Sequence, residues 1–162
     1  MTKAIIIKKP GGPEVLEITD IKLGVPGPNE IKVENIAIGL NYIDTYHRSG
    51  LYPVPLPSGI GLEGAGKITE IGSNVKDLNI GDSVAYAGGA PSAYAEERIL
   101  SAHLGVKIPD GISHKIAACI MTKGLTTHYL LRKTYKLTSN DVVLFHAAAG
   151  GVGQVFSQWA KG

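Results

Sequence analysis

The stretch VVLFHAAAGGVGQVFSQWAKG, which runs to Gly162, constrains this 162-residue chain more than any other. Val142–His146 is an apolar, β-branched-rich run of the kind that forms a buried parallel strand. Gly150, Gly151 and Gly153 follow at once, and Val152, Val155, Phe156 and Trp159 then recur at helical spacing. Strand, glycine turn and helix together let a backbone approach a pyrophosphate while the helix N-terminus offers it free N–H groups. The segment from Asp141 to Gly162 is shorter than the roughly 30 residues of a complete βαβ unit. The expectation is therefore the opening of a dinucleotide-binding domain that stops within its first helix. An inner strand without neighbours leaves edge N–H and C=O groups that recruit other chains. Each of the four apolar helix side chains gains about 1.5–3 kcal/mol when buried. Self-association through residues 139–162 is the expected outcome.

Ahead of this segment the pattern is almost all β to about Ala95. Ala4–Ile7, Leu16–Ile18, Ile31–Ile38, Ala65–Ile71, Ser83–Ala87 and Tyr94–Glu97 read as short strands, punctuated by Gly, Pro and Asn turns. Tyr42–Arg48 alone reads as a helical turn, with Asn41 or Asp44 near its start. From Ile108 the character changes. Ser113 is a good N-cap for a helix with the apolar stripe Ile116, Ala117, Ile120 and Met121. Gly124 interrupts it, and Leu125–Tyr135 resumes. The fold class read from this order is mostly β, α+β: a barrel or sandwich, a helical connector, then the first strand–turn–helix of a Rossmann domain. Residues 1–122 form the β-rich domain and 123–162 the connector and nucleotide-binding start.

Composition removes several classes of function. A net charge of +2 is too small to argue for nucleic acid or an anionic membrane surface. No apolar run approaches a membrane span of about 20 residues, and the N-terminus lacks a signal-peptide pattern. The single cysteine, Cys119, allows no internal disulfide and no multi-cysteine zinc site. On the apolar stripe it reads as inert core. A reducing cytoplasm is the expected compartment. The five histidines show no ligand or triad spacing.

The blocks GGPEVL (11–16), AIGLNYIDTYHRSGLYP (37–53), PSGIGLEGAGKITEIGSNVKDLNIGDSVAY (57–86), KGLTTHYLLRKTY (123–135) and FHAAAGGVG (145–153) resemble, in this order, the zinc-free quinone oxidoreductases of the zeta-crystallin type. These belong to the medium-chain dehydrogenase/reductase superfamily. The resemblance implies a GroES-like β-barrel on the substrate side of a cleft, completed by a returning C-terminal segment, and a Rossmann domain for NADPH. Zinc-dependent relatives carry Gly-His-Glu where this chain has Gly61-Leu62-Glu63, and a cysteine near Asn41. Leucine has no lone pair for a metal and asparagine is a poor substitute for a thiolate, so no metal site is expected. Acceptors that take a hydride directly, quinones or enones, fit that chemistry.

By this resemblance Asn41, Tyr42, Ile43, Asp44, Thr45 and Tyr46 face the nicotinamide, Asn41 and Tyr46 nearest the ring, and Tyr52 lines the quinone side; Tyr46, Tyr52 and Asn41 are the catalytic candidates. Tyrosine rings suit stacking on a planar ligand. Lys123, Thr126 and Tyr129 are further cofactor candidates, Tyr129 being held by an apolar stripe with Leu125 and Leu131. Gly150, Gly151, Val152 and Gly153 meet the pyrophosphate. Glu63 is expected to hydrogen-bond backbone inside the barrel. The position that distinguishes NADPH from NADH lies about 20 residues past the glycines, so NADPH rests on the resemblance alone. The chain by itself is expected to show no turnover. Two other readings stay open: a non-catalytic binding or structural remnant of a split or decayed reductase, and an RNA-binding protein, against which the near-neutral charge argues.

Overall fold

In the computed structural model, residues 1–161 are described, and the chain forms two compact units, Met1–Cys119 and Ile120–Gly162. The first is built on alternation of inward and outward side chains. Strand β3 (Glu30–Gly39) buries Ile31 and Val33 completely, while Ile36 and Ile38 on its opposite face stay exposed. It lies between β7 (Glu97–Ser101) and β5 (Glu63–Ile71) in an antiparallel sheet with β6 (Ser83–Ala87) and β8 (Gly105–Lys107), in the order β7-β3-β5-β6-β8. A second sheet holds β1 (Thr2–Ile7) between β2 (Glu17–Ile21) and β4 (Ser58–Gly59). The Ala4–Ala95 bridge joins the two sheets. Ile31, Val33, Ile68, Leu78, Val84, Tyr86, Ala93 and Leu100 pack into one core. The mostly β architecture is thus present. Its edge strands β4 and β8, two and three residues long, lie below the length at which sequence periodicity is visible. The expected strand Tyr94–Glu97 divides: residues 94–96 bond β1, through Ile5 N–H to Tyr94 O and Glu96 N–H to Lys3 O, and the strand proper starts at Glu97.

Helix α1 spans Tyr42–Ser49 and α2 spans His114–His128. The Ser113 hydroxyl accepts the Ile116 N–H at 3.3 Å, the expected N-cap. Gly124 does not interrupt α2, since a single glycine costs a helix only about 1 kcal/mol. The buried face is also rotated from expectation. Ala117 and Ala118 are buried, whereas Ile116, Cys119 and Ile120 are exposed, so Cys119 is not core. Small side chains decide this, because the backbone at Ala118 comes so close to Gly39 that a Cβ there would collide with the Ala118 carbonyl.

In the second unit a π-type turn, Tyr129–Thr134, follows α2 in place of a continued α-helix. Leu131 is buried, but Leu125 and Tyr129 are more than half exposed, so no stripe holds Tyr129 in place. Val142–His146 forms no strand, and Val142 and Leu144 are open to solvent. A strand needs a neighbour for its N–H and C=O groups, and among the described residues none lies beside this run. Helix α3, Gly151–Trp159, forms as expected. Its stripe is partly covered by the chain itself: Phe156 is buried with Phe145 at 4.5 Å between ring centroids, and Trp159 lies 6.0 Å from the His128 ring.

Candidate functional site

Asn41 is the N-cap of α1. Its own N–H donates to Asp44 Oδ2 at 2.9 Å, and the Asp44 N–H returns a bond to the Asn41 carbonyl at 3.0 Å. Asp44 in the first turn and His47 and Arg48 in the last suit the helix dipole. Gly50 closes the helix in the left-handed conformation, with φ +82°. The chain then returns, and the Tyr52 N–H donates to the Tyr46 carbonyl at 3.2 Å. This brings three tyrosines together. Tyr46 lies 5.3 Å from Tyr42, edge to face, and 5.2 Å from Tyr52. Tyr42 and Tyr52 are exposed, Tyr46 half-buried, and the result is an aromatic shelf on the surface of the first unit. Ile43 and Thr45 are half-buried, and the Thr45 hydroxyl bonds the Tyr42 carbonyl.

Behind the shelf the groups are polar and buried. Glu63, at the start of β5 and fully buried, accepts the Asn41 side-chain N–H at 2.5 Å. This side-chain partner lies 22 positions away in the sequence. A Cβ on Gly39 would sit against the same Glu63 carboxylate, so the glycine keeps room for the pair. Among the described residues no group of three His, Cys, Asp or Glu side chains converges on one point.

Sequence reasoning missed a second tier. The Tyr94 hydroxyl donates to Asp44 Oδ2 at 2.9 Å. Burial first, and then the Asp44 charge and hydrogen bond, push the Tyr94 hydroxyl well above the ordinary tyrosine range. Folding is therefore stabilised by this group at neutral pH, and the contribution is lost only as pH rises through that elevated value. Asn35 Nδ2 bonds the carbonyls on either side of Tyr94, Ala95 at 2.8 Å and Ala93 at 3.3 Å, while its Oδ1 accepts the Tyr86 hydroxyl at 2.7 Å. Arg98, 2% exposed, lies over the Tyr86 ring and donates to the Ala90 carbonyl at 2.9 Å. No local signal links positions 44 and 94. Only the sheet brings them together.

In the second unit Gly150 is the N-cap of α3 and no side chain caps it, so the N-terminal N–H groups are not consumed by a capping oxygen. A Cβ on Gly153, which is buried, would lie 2.5 Å from the Ala148 carbonyl oxygen. At Gly151, which is exposed, a Cβ would meet only the outer methylenes of Lys123, at 2.7 and 2.8 Å. Gly150 is exposed and Val152 half-buried. Thr126 turns its hydroxyl back to the Thr122 carbonyl at 2.7 Å, and Thr127, which sequence reasoning passed over, is buried and bonds the Lys123 carbonyl at 2.9 Å.

The alcohol dehydrogenase GroES-like domain matches residues 27–131. A quinone oxidoreductase of Pseudomonas aeruginosa is 56% identical over 99% of this chain and 50% of its own length. Among solved structures, the quinone oxidoreductase of Pseudomonas syringae pv. tomato superposes with a TM-score of 0.96 at 52% identity, over 99% of this chain and 50% of that one. The Escherichia coli quinone oxidoreductase complexed with NADPH gives 0.95 at 51% identity, over 98% and 49%. The chain spans about half the length of the curated relatives it matches. With its β-sheet order, the Gly39–Glu63 notch and the capped Asn41 turn, the chain belongs to the alcohol dehydrogenase GroES-like domain family, as a homologue of quinone oxidoreductases.

Proposed function

We propose that this chain carries the acceptor side, and the start of the cofactor side, of an NADPH-dependent reductase of quinone-like compounds that works without a metal. The observation that carries the reading is the Tyr42–Tyr46–Tyr52 shelf with Asn41 at its edge. NADPH, when bound, supplies the hydride. Tyr46 and Tyr52 present flat apolar faces to a planar acceptor and Asn41 orients it with a side chain already held by Glu63. Their contribution is alignment and exclusion of water. Gly150, Gly151, Val152 and Gly153 take the pyrophosphate, and Tyr42, Ile43, Asp44, Thr45, Lys123, Thr126 and Tyr129 belong to the cofactor side. Leu62, with no lone pair, replaces the metal-binding histidine. The domain assignment is 1–122 for the GroES-like part and 123–162 for the connector and Rossmann start.

The NADPH-complexed homologue supports the cofactor, and the test uses a chimera in which this chain replaces the matching half of that Escherichia coli protein. The chimera is expected to oxidise NADPH with a simple quinone, and Tyr46→Phe combined with Asn41→Ala to lower kcat/KM at least tenfold. Turnover unaffected by the double substitution removes these residues from the site. The 162 residues alone are expected to match the no-protein control.

Self-association through residues 139–162 belongs to the same proposal. Val142, Leu144 and Trp159 expose apolar surface there. Light scattering of the chain at micromolar concentration is expected to give a dimer or larger species, which Val142→Lys with Leu144→Lys returns to monomer. A monomeric parent chain rules it out. No described helix is long and apolar enough to cross a membrane, and a cytoplasmic setting fits the single cysteine.

A further inference from the structure

We propose that Tyr94 is a positioning residue: its hydroxyl grips the Asp44 carboxylate and so sets the Asn41–Tyr46 turn, and the aromatic shelf it carries, on the β scaffold. The functional consequence rests on the reading of that shelf as the acceptor site.

Asp44 is 4% exposed. Its Oδ2 receives two hydrogen bonds at 2.9 Å, from the Asn41 N–H and the Tyr94 hydroxyl, and its buried Oδ1 has no hydrogen-bond partner among the described residues. A buried carboxylate is expensive unless its charge is met by donors, and a donor to an ionised oxygen is worth roughly twice a neutral one. With two donors in place of a cation, each matters. The first belongs to the turn itself and cannot anchor it to anything else. Tyr94 is the one that comes from outside.

Tyr94 is also held firmly enough to act as the anchor. Its N–H donates to the Ile60 carbonyl at 2.9 Å, and its carbonyl accepts the Ile5 N–H at 2.8 Å. Asn35 clamps the carbonyls before and after it. The ring fills the space over Gly61, whose φ of +83° and missing Cβ leave room for it. The hydroxyl is thus the tip of a side chain fixed at its base by both sheets. An eight-residue helix is by contrast marginal on its own. Its place is therefore set by partners outside it: the Asn41–Glu63 bond at its N-cap, the bonds between Gly11 and Arg48 at its end, and, in its first turn, Tyr94 through Asp44.

Tyr94→Phe tests this, because it keeps the ring over Gly61 and removes only the donor. Amide hydrogen exchange of the purified chain is the primary measurement. The N–H groups of Asn41, Asp44 and Tyr46–Arg48 are expected to exchange at least tenfold faster, while those of β3 and β5 keep their protection. Asp44→Asn, which retains an acceptor oxygen for Tyr94, is expected to lie between the parent and Asp44→Ala. Unchanged exchange in α1, or a uniform loss across the sheets, overturns the proposal. In the chimera Tyr94→Phe is expected to lower kcat/KM for the quinone about tenfold. A parent chimera with no quinone turnover counts against the functional reading alone, since the exchange rates still decide whether Tyr94 positions the turn.

Discussion

Gly66→Val is expected to destabilise the β-rich unit severely. Gly66 lies in the middle of β5, paired with Asn35 on one side and Val84 on the other. A Cβ at this position would fall inside the Glu34 carbonyl, 2.7 Å from its carbon and 2.9 Å from Asn35 Cα. Those are backbone atoms of β3, and no rotamer change moves them. The strands must part, and β3 and β5 together carry Ile31, Val33 and Ile68 of the core. Overpacking that side chains can absorb costs about 1–3 kcal/mol. Here the loss is expected to exceed ~3 kcal/mol, against a typical domain stability of about 5–15 kcal/mol. Urea denaturation followed by far-ultraviolet circular dichroism checks it, and a midpoint near that of the parent contradicts it.

Gly153→Val is the counterpart in the second unit, and its effect is expected on ligand binding as much as on stability. The added Cβ would press on the Ala148 carbonyl oxygen at 2.5 Å and its Cα at 2.6 Å, pushing the 147–150 turn off the first residues of α3. The turn and the helix N-terminus are the parts proposed to take the pyrophosphate, and they act only in register with each other. In the chimera, NADPH affinity measured by nicotinamide fluorescence is expected to fall at least tenfold. Gly124→Ala is the control, since a Cβ there makes only ordinary contact with the Ile120 side chain, at 3.5 and 4.0 Å. It is expected to change affinity less than threefold. Equal losses at the two positions contradict the close-packing explanation of Gly153.

These two glycines differ in how visible they are. Gly153 is announced by the glycine run after an apolar stretch, whereas Gly66 within EGAGKITEI reads simply as strand, with nothing to show that another backbone crosses above it. The same division runs through the site. Asn41 and Asp44 three positions apart are a local capping signal, as is Ser113, and both caps form. The tyrosines of YIDTYHRSGLY meet because a short helix and its glycine turn fold them back within eleven residues of sequence. The Glu63 and Tyr94 contacts, 22 and 50 positions from their partners, exist only because sheet pairing delivers them.

By itself the sequence determined what is local: the turns, most of the strands of the first unit, both helix caps, the α3 helix and, through several motifs in fixed order, the family. Tertiary structure decided which faces are used. It kept the expected Ala117 of α2 inward but turned Ala118 in beside it and left Ile116 and Ile120 exposed, at a close backbone approach between Ala118 and Gly39. It also left Val142–His146 unpaired despite a strong strand composition. Side-chain preference makes a segment fit for a sheet, but a ladder hydrogen bond needs a second strand.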